Sequence, residues 1–429
     1  MSEKITIIGF GYIGKVLSSF FIQKGYEIIA IETDKQIINK FRDKEIEIEE
    51  KDIKSILNRN LKKIDLFEPK KSRSISKNIF ITVGTPLVKN KPSMKYIAEV
   101  AKFLSLRAPK NSIITLKSTI IPGTSEKLLS YFIKKNRSDL ELIYSPERLA
   151  EGTALRDLKK NPLVISSFNK KTLYFAEKFW KKNSLKTILF NDYKSAEICK
   201  LASNMWIDLN IALGNEIGLY CNTYGLDSKK IIDATNTLKK GMSYINILSP
   251  SIGVGGYCLT KDPYFLKDDA KKNKLNLRLP SISRSINDQI TFDCLNILFK
   301  KARKVIKLKK DLRVIVFGLS FKNNTGDCRN TPAEKVISYL NKKKIDYDAF
   351  DPLVTDKDYW KLTRRNNISF NNLDLKKYNL AIYACGHDVF KSVDIKKMKK
   401  LKCIFDGRRL FDKNQIKFLK DKNITYSTI

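Results

Sequence analysis

Apolar positions along the chain fall into short unbroken runs, separated by longer stretches with helical spacing. "KITIIG" at residues 4–9 leads into the turn "GFGYIG", after which Val16, Leu17, Phe20 and Phe21 recur on one helix face. "EIIAIE" then reads as a second buried strand. Strand, glycine turn, helix and strand in that order predict a right-handed βαβ unit of a parallel sheet. "NIFITVGTP", "SIITLKST", "ELIYSPE" and "PLVISS" supply further strands. Each ends in small or polar residues, as strands do where their carboxyl ends face a ligand crevice.

The pattern changes near residue 192. "DYKSAEICKLASNMWIDLNIALGNEIGLYCNTYG" predicts one long helix with Gly225 as its stop, and a second helical stretch covers 284–308. Between them lies a glycine-rich loop around Cys258. Near 311 a strand-loop-helix-strand pattern restarts, followed by "LAIYACG" and "CIFDG". The predicted class is α/β, with two Rossmann-like doubly wound domains joined by a central helical domain. The expected boundaries are 1–191, 192–308 and 309–429. No short-period repeat points to a solenoid.

Composition narrows the class. The 429 residues are 42% apolar and 10% aromatic, enough for a sizeable core. The chain enters a strand at once, without a leader pattern, and no apolar run reaches membrane-spanning length. A soluble cytoplasmic protein is expected, with no membrane partner. Seven cysteines stand singly, without a CxxC pair, which argues against a disulfide framework and a structural zinc site. No metal is expected, and most of these thiols should be small buried hydrophobes. The formal charge of +37 raises nucleic acid as a partner. Its basic runs, such as "KKARKVIKLKK" and "KKMKKLK", are dispersed and fit solvated helix faces, so no nucleic-acid partner is expected.

Four motifs carry candidate chemistry. Gly9-x-Gly11-x-x-Gly14 follows a strand and opens a helix, with Glu32 ending the next strand. That context predicts a dinucleotide, its pyrophosphate at the helix N-terminus and its ribose hydroxyls on Glu32. A carboxylate there repels a 2′-phosphate, so NAD is favoured over NADP, although Lys35 lies close in sequence. In "AEICKLASN", Lys200 and Asn204 share a helix face and could donate to an oxyanion; the alternative for Lys200 is an ordinary surface lysine. In "GVGGYCLTKDP", Gly255 and Gly256 place Cys258 at a backbone turn, with Lys261 and Asp262 within reach. Such a thiol suits addition to an aldehyde and loss of a hydride to leave a thioester; the alternative is core filling. In "SPERLAEG", Glu147 and Glu151 could orient or deprotonate a water, or could be first-turn helix acids. The single histidine, His387, lies in the last domain and is assigned no role.

Taken in order, "GFGYIG", "TVGTP", "KSTIIPGTSE", "SPERLAEGTALRDL", "AEICKLASNMWIDLNIALGNEIG", "GVGGYCLTKDP", "GLSFKNNTGDCRNTPA" and "FDGRR" resemble the nucleotide-sugar 6-dehydrogenases, the UDP-glucose and UDP-N-acetylmannosamine dehydrogenase group. The resemblance runs nearly end to end. It implies two successive NAD-dependent oxidations that turn the C6 alcohol of a UDP-sugar into a carboxylate, for polysaccharide biosynthesis. It implies Cys258 as the nucleophile, Lys200 and Asn204 as oxyanion stabilisers, and Asp262 as the carboxylate supporting proton transfer. It further implies Glu147 in thioester hydrolysis and Thr119 as the holder of a catalytic water. NAD contacts implied are Gly9, Gly11, Tyr12, Ile13, Gly14, Glu32, Thr85, Thr119, Glu151 and Arg329. Substrate contacts implied are Glu147, Leu149, Lys200, Asn204, Gly255, Lys322 and Arg408. The long helix resembles a homodimer interface. The hexose stays open. Arg148 and "DPYFL" look like acetamido-sugar members, whereas Tyr257, Lys261 and "FDGRR" look like glucose members. Thr260 replaces a common proline, and "GMSYINIL" lacks the arginine many members lend to a partner subunit. Two other classes remain as alternatives: a two-electron hydroxyacid dehydrogenase, and a basic, non-catalytic Rossmann protein that binds nucleic acid.

Overall fold

The computed structural model describes residues 3–71, 73–89, 91–306 and 312–429. The expected junction at 308/309, the end of the second helical stretch beyond 306 and the expected restart near 311 lie outside the described residues. Two compact units divide the chain. One comprises Met1–Ser203 and Tyr264–Leu277, the other Asn204–Pro263 and Arg278–Ile429.

The first unit is built on a sheet whose strands lie in the spatial order Thr187–Phe190, Leu163–Ser166, Glu141–Tyr144, Ile113–Leu116, Asn78–Ile81, Lys4–Ile8, Glu27–Ile31, Ile64–Phe67. All pairings are parallel except that of Glu141–Tyr144 with Leu163–Ser166. The first strand sits centrally, and the direction of winding reverses between it and Asn78–Ile81. That reversal opens a crevice at the carboxyl ends of the two strands, where open α/β sheets bind ligands. Both faces of the sheet are covered. Val16, Leu17, Phe20, Phe21 and Trp180 pack on one face, and Ile97, Leu104, Leu128 and Phe132 on the other. Burial on two faces explains the unbroken apolar runs.

The second unit holds a parallel sheet in the order Tyr347–Phe350, Val314–Phe317, Leu380–Tyr383, Cys403–Asp406, Thr425–Ser427. Its winding reverses between Val314–Phe317 and Leu380–Tyr383, so a second crevice opens beside the loops after Phe317 and Tyr383. Three helices bear on the chemistry. Tyr193–Thr223 is the expected long helix, and Gly225 beyond it has φ +69°. Leu279–Val305 begins five residues before the expected 284, because Pro280 fits the first turn, where no backbone donor is needed. Tyr257–Lys272 carries Cys258. The sequence placed that cysteine at a backbone turn; it lies just after that turn, in the first turn of a helix.

Candidate active site

In the first unit the glycine turn is shaped by steric contact. A Cβ on Gly14 would sit 2.1 Å from the Gly9 carbonyl oxygen, so only glycine lets the helix start this close to the strand. A Cβ on Gly11 would meet nothing within 4 Å, which leaves the loop open on the side where a pyrophosphate would lie. Glu32 is held just beyond: its carboxylate accepts from the backbone N–H of Phe10 at 2.7 Å, Thr33 at 2.6 Å and Asp34 at 3.0 Å. These features fit a dinucleotide with free ribose hydroxyls. Tyr12 and Ile13 pack their side chains against the core. Burial, reinforced by the charges of Glu50 and Glu151, pushes the Tyr12 phenol up.

The loops after Asn78–Ile81 and Ile113–Leu116 are tied together. Thr85 Oγ1 donates to the Thr119 carbonyl at 2.6 Å, and Ser118 Oγ to the Val83 carbonyl at 2.7 Å. Glu147 lies in a loop, not in a helix turn, because the next helix starts only at Ala154. It is buried, as is Lys117, whose Nζ stands 3.0 Å from Glu147 Oε2. Leu149 packs on the core, Arg148 donates to the Pro162 carbonyl, and Glu151 is half-buried. Lys200, for which a surface position was the alternative, is buried at 6% exposure.

In the second unit, Gly256 has φ +82° and donates its N–H to the Arg329 carbonyl at 2.9 Å. A Cβ on Gly255 would fall 2.4 Å from Phe321 Cβ, and one on Gly256 2.7 Å from the Phe321 ring. The glycine pair therefore lets the chain press against Phe321 and turn sharply into the cysteine helix. Six of the seven cysteines are buried or half-buried; Cys258 is exposed. At the N-terminus of its helix, the positive end of the backbone dipole favours negative charge on the sulfur. One helical turn on, Asp262 is fully buried. Its Oδ1 pairs with Lys261 Nζ at 2.8 Å, and its Oδ2 accepts from Asn204 Nδ2. Asn204 is thus positioned by a carboxylate of the same helix as the thiol.

Arg329 and Arg408 stand differently from simple ligand-reaching arginines. Arg329 is exposed, donates from Nε to both Asp327 oxygens and lies 5.2 Å over the Tyr257 ring. Arg408 braces the loops after Tyr383 and Phe317, donating to the carbonyls of Ala384 at 3.1 Å and Phe321 at 3.2 Å; burial lowers its pKa. Lys322 is half-buried, and its carbonyl accepts from Ser320 and Thr325. His387 is a structural residue here. Asn324 N–H donates to Nδ1 at 2.8 Å, and Nε2 faces Asp351 at 2.9 Å.

Several contributors escaped sequence reasoning. Glu197, Asp208 and Asn215 are among them, and along the long helix they extend Lys200 and Asn204 into a buried polar stripe. Glu197 caps the helix Thr124–Lys134, accepting from Gly123 N–H at 2.5 Å and Ser125 N–H at 2.9 Å. Asp208 receives Arg284 Nη1 at 2.6 Å, Ser283 Oγ at 2.8 Å and Asn287 Nδ2 at 2.9 Å. Arg284 Nη1 also points at the Leu259 carbonyl, 3.5 Å away. Pro263, inside the cysteine helix, has no N–H to give that carbonyl, so the arginine takes the missing donor's place. The signal was present in the sequence: Glu197, Lys200, Asn204 and Asp208 recur every three to four residues, which puts them on one helix face.

Among the described residues no group of three or more His, Cys, Asp or Glu side chains could hold a metal ion, and no helix is long and apolar enough to cross a membrane. Comparison with known proteins matches three consecutive segments to one family: residues 3–183 to the UDP-glucose/GDP-mannose dehydrogenase family NAD binding domain, 194–289 to its central domain and 315–413 to its UDP binding domain. A UDP-N-acetyl-D-mannosamine dehydrogenase of Pyrococcus horikoshii is 28% identical over 428 residues, spanning 97% of this chain and 98% of that protein. An NDP-N-acetyl-D-galactosaminuronic acid dehydrogenase of Ralstonia nicotianae is 27% identical, over 80% of this chain and 81% of that one. The solved UDP-D-ManNAc dehydrogenase of Pyrococcus horikoshii superposes with a TM-score of 0.86 at 27% identity, over 99% of both chains.

Proposed function

Because this chain belongs to the UDP-glucose/GDP-mannose dehydrogenase family and is an NAD-dependent nucleotide-sugar dehydrogenase, we propose that it oxidises a UDP-N-acetylhexosamine, of the manno configuration, to the corresponding uronic acid. The substrate assignment is supported by the names of its relatives and by Arg148, which follows Glu147 as in acetamido-sugar members. The chemistry rests on one observation above all, the exposed Cys258 thiol at a helix N-terminus beside a buried, paired Asp262.

The glycine turn and Glu32 would hold NAD, which when bound would supply the hydride acceptor for both oxidations. Cys258 adds to the aldehyde carbon and holds it as a thiohemiacetal, then as a thioester. Lys200 and Asn204 donate to the oxygen that becomes negative. Asp262 keeps Asn204 oriented and relays the thiol proton. Glu147 takes a proton from the water that attacks the thioester, while Thr119 orients that water. Lys322 and Arg408 are the residues we assign to the nucleotide, and Arg329 the one we assign to the cofactor. We place the reaction in the cytoplasm, where free thiols persist. The working form is a homodimer. Trp206, Leu213 and Tyr220 recur every seven residues along the long helix with their apolar surface exposed, a stripe of the width that seams two helices.

A panel of UDP- and GDP-hexoses, with NADH followed optically, tests the substrate. UDP-N-acetylmannosamine should give two NADH per sugar and the highest kcat/KM. A preference for UDP-glucose would overturn the acetamido reading, and one NADH per sugar would overturn the four-electron chemistry.

A further inference from the structure

The Lys117–Glu147 pair is the buried charged cluster that the chemistry above leaves half unused. Lys117 follows the strand Ile113–Leu116, and its side chain is completely buried. Its Nζ lies 3.0 Å from Glu147 Oε2, 3.3 Å from Ser145 Oγ and 5.5 Å above the Trp180 ring. The Glu147 backbone N–H donates to the Lys117 carbonyl at 3.4 Å, so main chain and side chain are both tied to this lysine. Neither Glu147 oxygen has a hydrogen-bond partner, although both are buried. Oε2 has its counter-charge; Oε1 has nothing. A buried carboxylate with one oxygen neutralised from behind and the other unsatisfied is short of a donor, and a water molecule is the simplest one.

We propose that Lys117 is a positioning residue for the hydrolytic half of the reaction, holding the Glu147 carboxylate fixed so that Oε1 accepts the proton of the attacking water. This rests on the reading of Glu147 as the hydrolytic base. The water oxygen forms a bond to the thioester carbon as one of its protons passes to Oε1. The C–S bond then breaks, the sulfur leaves with the electron pair, and the uronic acid is released. Without Lys117 the carboxylate loses the 3.0 Å contact that holds Oε2, so Oε1 is no longer kept in place to meet the water. Replacing the lysine should therefore resemble replacing the glutamate.

The test compares wild type, Lys117→Met, Glu147→Gln and the double variant, each mixed with NAD and UDP-N-acetylmannosamine. NADH release and the intact mass of the quenched enzyme are followed together. In Lys117→Met the first-turnover NADH burst should persist, steady turnover should fall about 10²-fold, and a sugar adduct should accumulate on the enzyme. In the double variant the lysine change should add nothing to the Glu147→Gln defect, because the lysine acts only through that carboxylate. Wild-type turnover in Lys117→Met, or a double variant slower than Glu147→Gln, would overturn the proposal. Should Lys117→Met fail to fold, the double variant still decides, since it leaves no charge unpaired. Wild-type turnover in Glu147→Gln would instead sink the reading of Glu147 and identify that as the failure.

Discussion

Arg284→Met removes the cation that neutralises Asp208 in the second unit. Asp208 is completely buried and Arg284 only 2% exposed, so neither charge can turn to water. The variant deletes the 2.6 Å bond to Asp208 and the 2.7 Å bond to Asp288, leaving Asp208 with the Ser283 hydroxyl and the Asn287 amide. Breaking a buried ion pair from one side costs about 3–5 kcal/mol. For a unit of roughly two hundred residues, each kcal/mol moves the melting temperature by about 2–4 °C. The transition should therefore fall by about 6–20 °C. Differential scanning calorimetry at pH 7 reads it. Asp208→Leu with Arg284→Met should recover most of the loss, because no buried charge then lacks a partner. A single variant that melts within about 2 °C of wild type would refute the reasoning. The change should also reach the chemistry, since the Leu259 carbonyl beside Cys258 loses its donor.

Cys258→Ser should abolish uronate formation while leaving NAD affinity unchanged by calorimetric titration; sustained two-NADH turnover would remove the thiol from the mechanism. Lys200→Met should lower kcat by about 10²-fold or more with KM within a few-fold, as expected of an oxyanion donor, and an effect confined to KM would make it a substrate contact. Arg137 donates to both Asp139 oxygens, at 2.8 and 3.0 Å, and holds that carboxyl down to about 2, against an ordinary 3.8. The native state thus binds this proton less readily than the unfolded chain. Its stabilising contribution is complete above the unfolded value and is lost as pH falls from 3.8 toward 2. Asp139→Asn should lower the melting temperature at pH 6 and converge on wild type as pH falls from 3.8 toward 2; a gap that widens on acidification would contradict the sign.

The parts of the fold that were plain in the sequence are those where one physical cause dominates. Strands buried on two faces must be apolar throughout, so "KITIIG" and "EIIAIE" could hardly be read otherwise. Ile64–Phe67 and Thr187–Phe190 were not foreseen. They are the edge strands of the first sheet, four residues each, and lack the double burial that writes a continuous apolar run. The cysteine helix was hidden by "KDP", because an internal proline ordinarily ends a helix; Arg284, distant in sequence, makes it tolerable here. The glycine motif was legible because its spacing is itself the steric requirement. The buried partners were not: Lys117, Glu197 and Arg284 look like surface charges until tertiary structure removes them from water.

The central claim is a covalent bond between Cys258 and the sugar. Enzyme quenched in acid during turnover with NAD and UDP-N-acetylmannosamine should carry one added nucleotide-sugar mass, located by peptide mapping to the segment that contains Cys258. Two NADH per sugar released with no such adduct at any time, in wild type or in Glu147→Gln, would contradict it.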